Sequence, residues 1–232
     1  MEGINIDTLR DSSVISILDI FGISYFFLFC LQRLLFHFPI STEEIGPLLA
    51  ILLFGTGNIS WFILSLTRRI LLVIGSNDSS SWEDLEFVGI LILIHSTTVS
   101  YVALQFSARP SVQLGYICAL SWFFVAHLAD LLGRPASAPV AGVGFFYHCT
   151  SVVLFALGPV IHAVLESEDP GNLAAEVAWF AIYNGFGAAQ YYLQPLERLG
   201  FLQGWQPSLY AMHLVLVFSA VQLSSHILPM AQ

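Results

Sequence analysis

Glu86, His213 and Asp130 are the side chains best placed to do acid–base chemistry in this sequence, because each borders or interrupts a long apolar stretch. A histidine inside such a stretch is costly unless it is paired or has a purpose. Glu86 follows a polar loop and opens an apolar stretch, where a helix N-terminus also favours a solvated carboxylate. Asp130 closes another, three residues after His127 and four before Arg134, so it reads equally as an interfacial ion-pair partner. A carboxylic acid kept protonated by apolar surroundings is a general acid. Aromatic faces beside it would stabilise a cation by about 0.5–2 kcal/mol each. Trp61, Tyr101, Trp122, Tyr147, Tyr183, Tyr191 and Tyr210 are available for that, or for packing.

The elements that must carry these groups follow from composition. Hydrophobic residues make up 56% of the 232 and charged residues only 10%, against about 25% charged in an ordinary soluble domain. Apolar stretches close to the ~20 residues needed to cross a bilayer recur at 14–38, 47–66, 87–106, 112–132, 138–165, 173–193 and 208–228. No period-two pattern is present, and an open sheet cannot satisfy its backbone in lipid. The expectation is an all-α polytopic bundle of seven transmembrane helices. Polar loops with Gly or Pro breakers separate the stretches, and none is long enough for a folded unit, so residues 1–232 form a single integral membrane domain.

The chain has no lysine, so arginine sets the orientation. Arg10, Arg68, Arg69, Arg134 and Arg198 fall on one side of a seven-span topology, and Arg33 and Arg109 on the other. The positive-inside rule places the N-terminus in the cytoplasm. The first span reads as a retained signal anchor. The net charge of −9 argues against nucleic acid. Cys30, Cys118 and Cys149 make no zinc motif or disulfide framework and read as small packing residues. His95-Ser96-Thr97-Thr98 is a polar belt suited to interhelical hydrogen bonds.

Several short motifs occur in order across residues 60–219. Leu85-Glu86-Phe87-Val88-Gly89-Ile90 is similar to L-D-Y-x-G-I, and Pro159-Val160-Ile161-His162 to P-x-x-H. Gly187-Ala188, Tyr191 and Glu197-Arg198 resemble G-A-x-x-Y followed by P-E-R, with Pro195 one residue early. Ser208-Leu209 and His213 resemble S-H-x-x-x-H, and Ser60 with Leu64 resembles S-x-x-x-H. The chain thus resembles the progestin and adipoQ receptor/haemolysin-III family of seven-helix membrane proteins. By that resemblance the zinc ligands fall on Leu64, Leu209 and His213, so two of three donors are missing where zinc needs about three. No metal and no cofactor is expected. His95, His148 and His162 are the alternatives for a relocated site.

The same resemblance gathers Leu64, Glu86, Leu209 and His213 at one mouth of the bundle. Leu209 and His213, four apart, share a helix face. Two leucines in place of imidazoles make that chamber drier. It resembles the membrane-bound terpene cyclases of fungal meroterpenoid pathways, of ascofuranone/ascochlorin type. That implies acid-initiated cyclisation of a prenylated, epoxidised precursor, with Glu86, His213 and Asp130 catalytic. Ser60, Trp61, Leu64, Tyr101, Tyr183, Tyr191, Leu209 and Tyr210 would line the substrate. The expected partners are the bilayer, a lipophilic prenylated substrate and other enzymes of the pathway, with residence in the endoplasmic reticulum. A divergent receptor or ceramidase-like lipid hydrolase, and a non-catalytic lipid-binding protein, are the alternatives. No clustered DDxxD motif is present, which disfavours magnesium-dependent diphosphate ionisation.

Overall fold

The computed structural model describes residues 6–36, 42–74, 79–133, 143–166, 172–200 and 205–227. Among them every regular element is a helix: α1 Ile6–Phe36, α2 Thr42–Ile74, α3 Ser79–Gln105, α4 Pro110–Leu132, α5 Val143–Ala156, α6 Gly158–Glu166, α7 Asn172–Leu193, α8 Pro195–Arg198 and α9 Pro207–Ile227. Five stretches are long and apolar enough to cross a membrane: Ser13–Leu35, Ile45–Leu71, Glu86–Gln105, Pro110–Leu132 and Pro207–Ile227.

The expected fifth and sixth spans differ from those five. Residues 138–142 lie outside the described ones, and the rest divides into α5 and α6 around Leu157. Pro159, with no N–H, cannot donate to the carbonyl one turn back. The Leu157 N–H still bonds Val153 O at 3.0 Å and Ile161 N–H bonds Leu157 O at 2.9 Å, so α6 continues from α5 across the break. α7 has 22 residues, but Glu176, Asn184 and Gln190 dilute its apolar character.

α2 lies between α1 and α3 and packs most extensively against both; α9 packs on α7 and touches α1; α4 and α5 cover another face of α3. A Cβ on Gly57 would run into the Ser96 side chain, and one on Gly89 would come 3.3 Å from the Trp61 Cα. Both glycines therefore let the α2 and α3 backbones approach closely. Phe26, Phe29, Phe54 and Phe62 interlock where α1 meets α2, with ring centroids 5.7–6.2 Å apart. Cys30 is buried beside Gly55, and Cys118 is exposed.

Unlike a water-soluble domain, the bundle keeps an apolar exterior as well as an apolar core, and it buries several ionisable groups. Ile17, Phe21, Phe27, Leu28 and Leu35 of α1, and Leu114, Trp122 and Val125 of α4, point outward, while Asp19, Arg33, Asn58, Arg69, Glu86 and His213 are buried. A bilayer accepts such an apolar exterior, and the ionisable groups find their partners inside the bundle. The described helices are those of a multi-pass membrane protein.

Candidate functional site

Four helices, with α2 antiparallel to α1, α3 and α9, bring one cluster together. Asp19 lies early in the apolar part of α1, Ser65 and Arg69 late in α2, Glu86 early in α3 and His213 early in α9, so all fall at the same end of the bundle. His213 is fully buried. Its Nδ1 lies 3.0 Å from the Leu209 carbonyl oxygen. A carbonyl can only accept, so Nδ1 carries a hydrogen and donates it. In the neutral ring Nε2 is then an acceptor, and it lies 3.4 Å from Ser65 Oγ and 3.9 Å from Glu86 Oε1.

The Ser65 hydroxyl also donates to Asp19 Oδ2 at 2.9 Å. One hydroxyl proton thus faces two acceptors, the Asp19 carboxylate and His213 Nε2. The chain Asp19–Ser65–His213 is completed by one additional proton, held either on Asp19 or on Nε2. Asp19 Oδ1 is buried with no hydrogen-bond partner, and Glu86 Oε1, 3.9 Å from Nε2, is the other carboxylate oxygen near that proton. Glu86 is placed differently. It pairs with Arg68, and Arg69 Nη2 lies 3.6 Å from its Oε1. The dry chamber expected around Glu86 contains two guanidinium groups, and Glu86 is an acceptor within an ion pair.

Aromatic groups wall the cluster. The Trp61 ring stacks on His213 with centroids 5.9 Å apart and 28° between planes. Tyr191 and Tyr210 lie within electrostatic range of Arg69. Leu209 contributes its carbonyl to His213, and Leu64 faces the Gly89 side of α3. Below α9, Glu197 of α8 accepts the Ser208 N–H at 2.9 Å, and Ser208 Oγ accepts the Leu196 N–H at 3.3 Å. Burial opposes the charge on Glu197, but hydrogen bonds to its carboxyl from the Ser208 side chain and backbone, and from its own backbone N–H, hold it below its ordinary value.

The structure therefore brings together Glu86, His213, Trp61, Leu64, Tyr191, Leu209 and Tyr210. Ser60 turns back to its own helix, donating to Thr56 O at 2.8 Å. Tyr101 is buried about 22 Å further along α3 than Glu86, at ~1.5 Å per residue, and stands apart from the cluster. Tyr183 stacks on Trp179 at 5.9 Å and meets the edge of Phe218 at 6.3 Å, midway along α7. Asp130 belongs to a second cluster, where its Oδ2 lies 3.1 Å from His148 Nε2. A third lies at the far end of the bundle. There Tyr116 bonds His162 Nδ1 at 2.7 Å, His162 Nε2 meets Glu166 at 3.0 Å, and Arg109 pairs with Glu166. Sequence reasoning missed Asp19 and Ser65 and read Arg68 and Arg69 only as topology signals. An acid inside the first apolar stretch was the available clue to Asp19.

No protein-family model matches the sequence, and neither does any curated protein. The described residues hold no group of three or more His, Cys, Asp or Glu suited to a metal ion.

Proposed function

We propose that this chain is a membrane-bound terpene cyclase, a divergent seven-span relative of the receptor/haemolysin-III architecture, with a cytoplasmic N-terminus and residence in the endoplasmic reticulum. Its substrate is a prenylated, epoxidised precursor whose tail partitions into the bilayer. The observation that carries the reading is the buried Asp19–Ser65–His213 chain, which is complete only with one extra proton.

That proton is the acid of the reaction. It passes to the epoxide oxygen, the C–O bond opens, and the carbocation is captured by a double bond of the same chain. Loss of a proton from the cyclised cation restores the relay. The Trp61 face, stacked on His213, supports cationic charge. Glu86, paired with Arg68 and Arg69, sets the field around the relay. Tyr191 and Tyr210 line the mouth.

The test is conversion of a prenyl-epoxide substrate by membranes containing the protein. Asp19→Asn keeps the shape and removes the acid. Cyclisation should fall by roughly 10²-fold or more, the scale of general acid catalysis, with the protein still inserted and folded. Full activity in that variant removes the relay from the mechanism. Elemental analysis separates the competing zinc-dependent receptor or lipid hydrolase, which requires near-stoichiometric zinc in the purified protein.

A further inference from the structure

We propose that Asp130, His148, His127 and Ser151 form a second catalytic relay, which makes the Ser151 hydroxyl a nucleophile toward the acyl ester of a lipid. It shares no residue with the Asp19–Ser65–His213 cluster and stands or falls independently of the cyclase reading.

The geometry is a continuous chain across the α4–α5 interface. Asp130 Oδ2 lies 3.1 Å from His148 Nε2, His148 Nδ1 lies 2.8 Å from His127 Nδ1, and His127 Nε2 lies 3.2 Å from Ser151 Oγ. The hydrogen positions follow from the partners. A carboxylate only accepts, so His148 Nε2 donates and its Nδ1 in the neutral ring accepts. His127 Nδ1 must then donate, which leaves His127 Nε2 as an acceptor for the Ser151 hydroxyl. Every bond in the chain runs from the serine toward the acid. A nucleophile, a base and a group that orients the base, each within hydrogen-bond reach, is the arrangement that activates serine. Ser151 Oγ also lies 3.0 Å from the His148 carbonyl oxygen. Rotation about its Cβ–Oγ bond moves the proton from that carbonyl to His127.

Surroundings indicate the substrate class. Asp130 is exposed and His148 is buried, while His127 and Ser151 are half-buried, and Tyr147 and Leu154, one turn either side of Ser151 on α5, face outward. The apolar void between α3, α4 and α5, lined in part by Thr98, Phe123, Val152 and Phe155, is about 10 Å³, room for about one water. Phe123 joins the two features, stacking on Phe155 at 4.4 Å and meeting the His127 ring edge-on at 4.5 Å. That void is too small for a substrate, so a lipid ester would reach the serine from the outward face of α5 that carries Tyr147 and Leu154.

In the reaction Ser151 Oγ bonds to the acyl carbon as its proton moves to His127 Nε2. The ester C–O bond breaks, and the leaving alkoxide takes that proton. Water then adds to the acyl-serine, passing a proton to His127 that returns to Oγ as the fatty acid leaves.

A fluorophosphonate probe applied to the full chain in nanodiscs tests this. The expected result is one covalent adduct on the peptide containing Ser151. The adduct is lost in Ser151→Ala, and labelling is slowed roughly 10²-fold or more in His127→Gln, while the Ser151→Ala protein elutes and unfolds like wild type. Absence of an adduct on the wild-type protein, or labelling that persists in Ser151→Ala, overturns the proposal. Conversion of the prenyl-epoxide substrate by Ser151→Ala separates this site from the first, since cyclisation should be unchanged.

Discussion

Glu86 is conspicuous in the sequence as a lone acid entering an apolar stretch, but its neighbours Arg68 and Arg69 decide what it does. Replacing one member of a buried ion pair leaves the other charge uncompensated, at a cost of about 3–5 kcal/mol. Glu86→Gln is therefore expected to lower the unfolding temperature of the detergent-solubilised protein as well as its activity. Adding Arg68→Gln should recover part of the lost stability, because it removes one of the stranded guanidiniums. If the double variant is less stable than Glu86→Gln alone, the pair is not the source of the effect. Asp19→Asn makes the contrasting case. It removes a carboxylate whose Oδ1 has no hydrogen-bond partner, so its effect should appear in catalysis more than in folding.

At the scale of elements, the close approach of α2 and α3 rests on glycine. Gly57→Ala would drive a methyl into Ser96. Overpacking of this kind costs about 1–3 kcal/mol, which thermal unfolding would register. Gly46→Ala, with nothing within 4 Å of the new methyl, serves as the silent control. The α8–α9 junction is tied by Glu197 to Ser208. The Glu197 carboxyl is held below its ordinary value of 4.5 in the folded chain. The stability it contributes is thus present above that ordinary value and is lost as pH falls through the lower folded one. Hydrogen exchange at the start of α9 should accelerate over that acid window in wild type, and should show no such pH step in Glu197→Gln.

For the whole molecule, the prediction concerns topology. Five helices are apolar and long enough to span. The seven-span reading adds α5 with α6 as one crossing and α7 as another, and so puts the termini on opposite sides. Acceptor sites for glycosylation fused to each end and inserted between α6 and α7 should be modified at the C-terminus and at the internal site; modification of the C-terminus alone would mean five crossings. Modification of both ends or of neither would mean an even number of crossings. The alternation of helix direction that gathers Asp19, Ser65, Glu86 and His213 at one end requires α2 to run opposite to α1, α3 and α9.

Sequence by itself determined the helical membrane class, because in lipid each apolar stretch must satisfy its own backbone and only helices do so segment by segment. It also singled out Glu86 and His213, since an ionisable group in an apolar stretch is costly without a partner. Their partners were legible only in the tertiary structure. Ser65 is 46 residues from Asp19 and 148 from His213, and no local pattern records which helix faces meet. The same is true of Asp130, which sequence grouped with Glu86 and packing assigned to His148. Helix formation is a property of a segment, whereas the hydrogen-bond partners of a buried charge are a property of the bundle.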